Sequence, residues 1–136
     1  MQVDRIEGKV FGAVVTGVDL KDLSDGDMAA IKRAFLDHGF LVFPGQHLDE
    51  AQSAAFGERF GPLEFGGAAL TNRRRAADGS RLGEGFHPDS QVMRTNIGNE
   101  AWHTDSSYKP VSSKCAMLSA VIVPAEGGGT ELADAR

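Results

Sequence analysis

The stretch "WHTDSSYKPVSSKCAMLSA", residues 102–120, contains the features on which the fold and the chemistry depend. It begins with a histidine and an aspartate separated by one residue, His103 and Asp105. In an extended strand, residues i and i+2 point to the same face, so these side chains would converge there. An imidazole nitrogen and a carboxylate oxygen are suitable ligands for a divalent metal ion. The same spacing is also typical of a solvated surface strand, and the spacing alone leaves both interpretations open.

The apolar pattern that follows predicts a strand over residues 114–124 that is covered on both faces, because apolar residues occupy both alternating positions. Cys115 lies in this segment, and we expect it to be a buried, inert thiol. Trp102, beside the motif, carries a large apolar ring and is expected in the core.

The N-terminal half predicts two helices and the strands around them. Apolar residues at helical spacing indicate a helix over about 25–38, with Ser24 as its N-cap and Gly39 just beyond its end. His38 falls at that end, where it complements the helix dipole. A second helix begins after Asp49 and is expected to end at Gly61-Pro62. Short strands are predicted within residues 9–20 and 40–44.

The bulk properties limit the class of protein. The 136 residues are enough for one domain, which we place over 1–136. The net charge of −5 argues against nucleic acid as a partner, and no apolar run is long enough for a signal peptide or a membrane span. We therefore expect a cytoplasmic protein. Residues 63–90 have no sustained period and are expected to form a long active-site loop.

The chain resembles the taurine dioxygenase / 2,4-dichlorophenoxyacetate dioxygenase family of iron(II)- and 2-oxoglutarate-dependent oxygenases. The resemblance begins with "GAVVTGVDL" and "HGFLVFPGQHLDEAQSAAFGERFGPLE" and is most specific in "WHTDSSYKPVSSKCAMLSA" and "PAEGGGTELADAR". It implies that His103 and Asp105 are iron ligands, that Thr130 binds the 2-oxoglutarate carboxylate, and that Asn99 faces the substrate. His87, in the long loop, is a further candidate for substrate contact.

The family pattern also contains a second ligand histidine and, beyond it, an arginine that pairs with 2-oxoglutarate. No histidine follows Asp105 in this sequence. The resemblance therefore implies the N-terminal part of a longer α+β, mainly β domain, a double-stranded β-helix or jelly roll with N-terminal helices. We expect this part to be cut off within the fold, which would leave apolar strands open to association between copies of the chain.

The implied reaction is hydroxylation of a small anionic substrate, aryloxyalkanoate- or sulfonate-like, by O2 with release of succinate and CO2. The Ser-Ser-aromatic sequence after the motif is closer to the aryloxyalkanoate members. Two alternatives stay open: a non-catalytic fragment or binding module that lacks the distal histidine and arginine, and a cupin-type metal-dependent hydrolase.

Overall fold

The computed structural model describes residues 1–64, 101–120 and 123–135. Its residues fall into two compact units, one formed by Met1–Arg59 with Leu118–Arg136 and the other by Phe60–Met117. Each unit is described by itself. That the whole chain forms one domain stays a prediction.

A small mixed sheet forms the first unit's framework. Its strands are β1 (Gln2–Arg5), β2 (Ala13–Thr16) and β3 (Leu41–Val42), in the order β1-β2-β3. β1 pairs with β2 antiparallel, and β2 pairs with β3 parallel. The parallel pair requires a crossover connection, which the helix α1 (Asp25–His38) supplies.

Two of these strands lie where the sequence predicts them, and one does not. β2 falls within residues 9–20 and β3 within 40–44. The strand predicted at 40–44 is shorter and more open than expected, since Val42 is 41% exposed. β1 was not predicted, because its only apolar residue is Val3 and one residue does not establish an alternating pattern.

Helix α1 begins and ends where the sequence predicts, because both of its termini are capped. The Ser24 hydroxyl accepts from the Asp27 backbone N–H at 3.0 Å and donates to the Asp27 carboxylate at 2.6 Å. At the other end Gly39 adopts φ 81°, and its N–H donates to the Phe35 carbonyl at 2.9 Å. Glycine adopts this left-handed conformation without the steric cost that a Cβ would add.

The core of the first unit lies between α1 and the sheet. Ile31 on α1 and Val15 on β2 are both completely buried. The other buried apolar side chains come from β2, α1, the β2–α1 connection and the second helix: Ala13, Leu20, Met28, Ala34 and Phe56. Burial of this face, more than helix propensity, is what stabilises α1 in the protein.

Removal of the α1 N-cap provides a test of this local structure. Ser24→Ala is expected to lower the free energy of unfolding by about 1 kcal/mol, since one backbone N–H loses its acceptor. Ser24→Thr, which keeps the hydroxyl, is expected to change it by only a few tenths of that amount. Urea denaturation of both variants measures the difference, and equal stability of Ser24→Ala and wild type would contradict the capping role.

The second helix, α2 (Glu50–Glu58), is tied to the start of α1. Asp49 and Gln52 form a reciprocal capping box at its N-terminus. The helix ends before the predicted Gly61-Pro62 stop, and the next residue, Arg59, donates to the Leu23 carbonyl at 3.2 Å and to Asp25 at 2.8 Å. These bonds fix the end of α2 beside the N-terminus of α1.

The strand predicted over residues 114–124 is wrong for the part that the structure describes. Residues 114–120 are not in a strand, and Leu118 is 80% exposed. A β-strand exists only where a neighbour accepts and donates its ladder hydrogen bonds, and no described segment does so here. Residues 121 and 122 lie outside the described part of the chain.

The two side chains expected in the interior near this segment are also more open than predicted. Trp102 is 68% exposed, so its placement in the core was wrong. Cys115 is only half-buried, although this partial burial raises the pKa of its thiol and so disfavours the reactive thiolate. In the part of the chain that the structure describes, no helix has both the length and the apolar character to cross a membrane.

Candidate metal site

His103 is held by its own backbone neighbour in a defined orientation. Its Nδ1 atom lies 2.7 Å from the Ala101 carbonyl oxygen. A carbonyl oxygen can only accept, so Nδ1 carries the proton in this contact. In the neutral ring, Nε2 then keeps a free lone pair, which is the state in which histidine binds metal. Metal-binding histidines usually donate a hydrogen bond of this kind from the ring nitrogen that does not bind the metal.

The free nitrogen of His103 faces the carboxylate of Asp105. The Nε2 atom lies 3.3 Å from Asp105 Oδ1. Two ligands in adjacent positions on one metal ion, each about 2.1 Å from it, are about 3 Å apart at a right angle. The observed separation is close to this value. Both side chains are also open to solvent, 49% and 64% exposed, so an ion could reach them.

The segment that carries the pair is not the strand expected from the sequence. Residues 102–104 have no regular secondary structure, and a turn begins at Asp105 and runs to Tyr108. Within it Ser106 adopts φ 57°, and the Lys109 N–H donates to the Ser106 carbonyl at 3.1 Å. The two side chains therefore converge through a turn, because this part of the chain has no described neighbouring strand.

A carboxylate from an earlier part of the same unit binds this turn. Ser106 Oγ lies 2.7 Å from each oxygen of Glu64, and Ser113 Oγ donates to the same carboxylate at 2.5 Å. Lys109 Nζ forms an ion pair with it. Ser106 is buried, and the Glu64 side chain is only 24% exposed. Glu64 thus joins one donor of the turn, Ser106, to two donors that follow it, Lys109 and Ser113.

These contacts stabilise the charged form of Glu64. The hydrogen bonds from Lys109, Ser113 and Ser106 lower its pKa from the usual 4.5 to about 2. A carboxyl whose pKa is lower in the folded state stabilises that state above the unfolded pKa. We therefore expect this contribution to be complete above about pH 4.5 and to be lost as the pH falls through about 2.

Amide hydrogen exchange at Lys109 measures this pH dependence. At neutral pH, the Lys109 backbone amide is expected to exchange faster in Glu64→Gln than in wild type. The neutral glutamine side chain cannot replace the charged carboxylate as an acceptor. Near pH 2 the ratio of the two rates should approach one. A ratio that is the same at both pH values would show that the charge of Glu64 does not hold the turn.

The described residues bring together two side chains with the chemistry of metal ligands, His103 and Asp105, whereas a facial triad needs three. Within residues 1–64, 101–120 and 123–135, no cluster of three or more His, Cys, Asp or Glu side chains could hold a metal ion. His38, the last residue of α1, and the exposed His47 both lie in the first unit. The placement of His38 at a helix C-terminus agrees with the sequence prediction.

The other predicted site residues are not placed relative to this pair. Thr130 is exposed in the first unit, after Gly127 and Gly128, whose φ values of 72° and 66° lie in the left-handed region that glycine favours. Asn99, His87 and most of the 63–90 loop lie outside the described residues. The roles of these three residues in 2-oxoglutarate or substrate binding, and those of His103 and Asp105 in iron binding, therefore remain predictions.

Comparison with known families identifies the context of the His-x-Asp pair. The sequence model described as taurine catabolism dioxygenase TauD, TfdA family matches residues 2–136. This chain belongs to the TauD/TfdA family. The match includes both the His103–Asp105 pair and Glu64.

Curated relatives in the family agree with this assignment. The chain is 49% identical to an (S)-phenoxypropionate/alpha-ketoglutarate-dioxygenase of Sphingobium herbicidovorans, over 93% of this chain and 42% of the relative. It is 37% identical to an alpha-ketoglutarate-dependent 2,4-dichlorophenoxyacetate dioxygenase of Cupriavidus pinatubonensis, over 93% of this chain and 48% of the relative. The chain thus spans less than half the length of these two relatives.

A solved structure supports the fold of the described part. The chain is similar to AAD-2, which was crystallised with Mn(II) and N-oxalylglycine, with a TM-score of 0.67 and 28% identity. The match covers 82% of this chain and 40% of AAD-2. The small mixed sheet and its two helices are therefore an arrangement shared with a TauD-like enzyme.

Sequence reasoning missed the Glu64 contacts. Glu64 is separated from Ser106 by 42 positions, and no spacing rule connects a glutamate after a Gly-Pro turn to serines that far along the chain. The available signal was the density of hydroxyl and amino donors after Asp105, a Ser-Ser pair, a lysine and a second Ser-Ser pair. Such a group needs an acceptor when it is partly buried.

Proposed function

We propose that this chain is the N-terminal part of an Fe(II)- and 2-oxoglutarate-dependent dioxygenase that hydroxylates a small aryloxyalkanoate acid. The observation that carries the proposal is the 3.3 Å approach of His103 Nε2 to Asp105 Oδ1, with Nδ1 held by the Ala101 carbonyl. Family membership supports the identity of the metal and of the co-substrate.

The residues present fit an iron site in the chemistry of their donor atoms. One imidazole nitrogen and one carboxylate oxygen are two members of the two-histidine-one-carboxylate set typical of non-haem iron(II) oxygenases. We assign the third ligand to the second histidine of the family pattern, which is not among the residues of this sequence. We assign the 2-oxoglutarate carboxylate to Thr130 together with the arginine of that pattern. When bound, iron supplies the reduction of O2 coupled to oxidative decarboxylation of 2-oxoglutarate.

The residues of this chain would act by holding the metal ion and by orienting the side chains that bind it. The Ala101 carbonyl accepts a hydrogen bond from His103 Nδ1, and this orients the ring so that Nε2 can act as a ligand. The Asp105 carboxylate, at the start of the turn, supplies negative charge against the cation. A set of three protein ligands of this kind would leave positions on the metal ion open for the co-substrate and O2.

The names of the relatives support the proposed substrate class. Two relatives, 49% and 43% identical to this chain, are named (S)-phenoxypropionate dioxygenases, and a third, 37% identical, acts by its name on 2,4-dichlorophenoxyacetate. A relative named for sulfate esters is less similar, at 29% identity. We therefore favour an aryloxyalkanoate over a sulfonate-like substrate, with hydroxylation as the reaction and succinate and CO2 as the other products.

The remaining parts of the proposal concern the whole protein. We propose that the described sheet and helices belong to a jelly-roll domain whose other strands lie outside the described residues. Asn99 and His87 would face the substrate in it. We place the enzyme in the cytoplasm, without nucleic-acid or membrane partners, and expect association between copies if the apolar residues around Leu118 stay exposed.

The test is a product balance with the full-length protein. Fe(II), 2-oxoglutarate, O2 and 2-phenoxypropionate should together give one succinate and one CO2 for each substrate hydroxylated, and omission of any one of them should stop the reaction. The two enantiomers of the substrate, tested separately, define the stereochemical preference. Absence of both succinate formation and O2 uptake for every aryloxyalkanoate would contradict the proposal.

The same assay separates the alternatives. A metal-dependent hydrolase would convert its substrate without O2 and without succinate. A non-catalytic fragment or binding module would consume neither co-substrate, even with Fe(II) present. Either pattern would replace the dioxygenase proposal.

A further inference from the structure

We propose that Glu64 is a positioning residue for the metal site, because its carboxylate holds the turn that begins at Asp105. The inference rests on the proposed function, since it concerns the affinity of the His103–Asp105 pair for a metal ion. It goes beyond that function by giving a role to a residue 41 positions away from Asp105, outside the motif.

The backbone of the turn needs an interaction that stabilises it. Ser106 has φ 57°, a conformation that non-glycine residues adopt at a steric cost, so another interaction must keep it there. The buried Ser106 hydroxyl is bonded to both oxygens of Glu64 at 2.7 Å. Glu64 is thus the acceptor that compensates the unusual backbone directly after Asp105.

Glu64 contacts both the first part of the turn and the residue that closes it. Lys109, which closes the turn through its backbone bond to Ser106, also forms the ion pair with Glu64. Ser113 adds a third donor at 2.5 Å from the following segment. One carboxylate therefore restricts rotation of the backbone that carries the Asp105 side chain.

The consequence concerns the distance between the two ligands. Both His103 and Asp105 are about half exposed or more, so their side chains have few packing contacts to keep them 3.3 Å apart. His103 has its own anchor in the Ala101 carbonyl. For Asp105 the anchor is the turn, and hence Glu64. Loss of Glu64 should weaken metal binding by releasing the carboxylate, with no loss of a ligand.

The experiment compares Glu64→Gln with Glu58→Gln in the full-length protein. Glu58 is the exposed last residue of α2, so the control makes the same change of charge and shape outside the turn. Three quantities are measured: the Kd for Co(II) by spectroscopic titration without 2-oxoglutarate, the absorption spectrum of bound Co(II), and the exchange rate of the Lys109 amide in the metal-free protein. His103→Ala serves as the reference for the change in Kd when one proposed ligand is removed.

We expect Glu64→Gln to raise the Kd for Co(II) about tenfold or more, in the range found for residues that orient metal ligands. The Lys109 amide should exchange faster in the same variant, and the Co(II) absorption spectrum should change. Glu58→Gln should match wild type in all three. Ser106→Ala should weaken binding more than Ser113→Ala, because Ser106 is adjacent to Asp105.

The outcomes distinguish the two proposals. If wild type binds Co(II), His103→Ala does not, and Glu64→Gln binds like wild type, the positioning role is wrong and the metal site stands. Faster amide exchange in Glu64→Gln with an unchanged Kd would likewise reduce Glu64 to a purely structural residue. If wild type and His103→Ala bind Co(II) equally weakly, the metal site itself is wrong, and the role of Glu64 fails with it.

Discussion

His103→Ala in the full-length protein is expected to reduce succinate formation by about 10³-fold or more. A metal ion contributes several kcal/mol to a reaction that depends on it, and each 1.4 kcal/mol, approximately, corresponds to a factor of ten in rate. The substitution removes the nitrogen that faces Asp105 and leaves the fold unchanged, since His103 is 49% exposed. Succinate release measured at saturating Fe(II) and 2-oxoglutarate tests this expectation.

A second histidine provides the matched control. His47 is exposed and adopts φ 46°, a conformation that asparagine tolerates well, so His47→Asn should fold normally. It lies in the first unit and has no part in the proposed site. We expect its activity to equal that of wild type. If His103→Ala also keeps wild-type activity, His103 is not a metal ligand.

Ile31→Ala is expected to cause the largest loss of stability in the first unit, about 2–5 kcal/mol in the free energy of unfolding. Ile31 is completely buried on the face of α1 that packs into the core. The substitution removes three methyl or methylene groups and leaves a cavity that the surrounding sheet and helix cannot fully close. Urea denaturation followed by far-UV circular dichroism measures the change.

The same substitution at a buried and at an exposed valine tests whether burial determines the loss of stability. Val15 is completely buried on β2, whereas Val10 is 92% exposed. Val15→Ala is therefore expected to destabilise the protein by about 1–2 kcal/mol, on the order of the apolar area that it removes from the core, and Val10→Ala by less than about 0.5 kcal/mol. Equal effects of the two substitutions would contradict the assignment of the core.

The sequence was most informative where local rules decide the structure. Helix α1 has the predicted bounds because Ser24, the spacing of Met28 and Ile31, and Gly39 all favour the same segment. Each of these signals acts within one or two turns of the chain. The end of α2 was less well predicted, since Arg59 leaves the helix to bond Leu23 and Asp25, which are distant in sequence.

The sequence was least informative where structure depends on partners elsewhere in the chain. Residues 114–120 have the composition of a covered strand, but a strand forms only with a neighbour, and the described residues provide none. The exposure of Trp102 and Leu118 has the same origin. A pattern of apolar residues indicates that a surface can be covered and does not specify what covers it.

The candidate site contains residues that local sequence patterns predict and one residue that depends on distant contacts. His103 and Asp105 were identified from their spacing and family resemblance, and their side chains do converge, although through a turn instead of a strand. Glu64 could not be identified from the sequence, because its three partners are brought to it by tertiary structure across more than 40 residues. Motif residues can be identified from the sequence, whereas residues that contact the motif from distant parts of the chain can be identified only from the structure.

The central claim, that His103 and Asp105 bind one metal ion, is tested most directly by a crystal structure of the full-length protein with Mn(II). Anomalous scattering locates the ion independently of the surrounding model. We expect a single ion bonded to both His103 Nε2 and an Asp105 carboxylate oxygen, with Nδ1 still on the Ala101 carbonyl. An ion bound elsewhere, or a His103 ring whose Nε2 points away from the Asp105 carboxylate, would contradict the account.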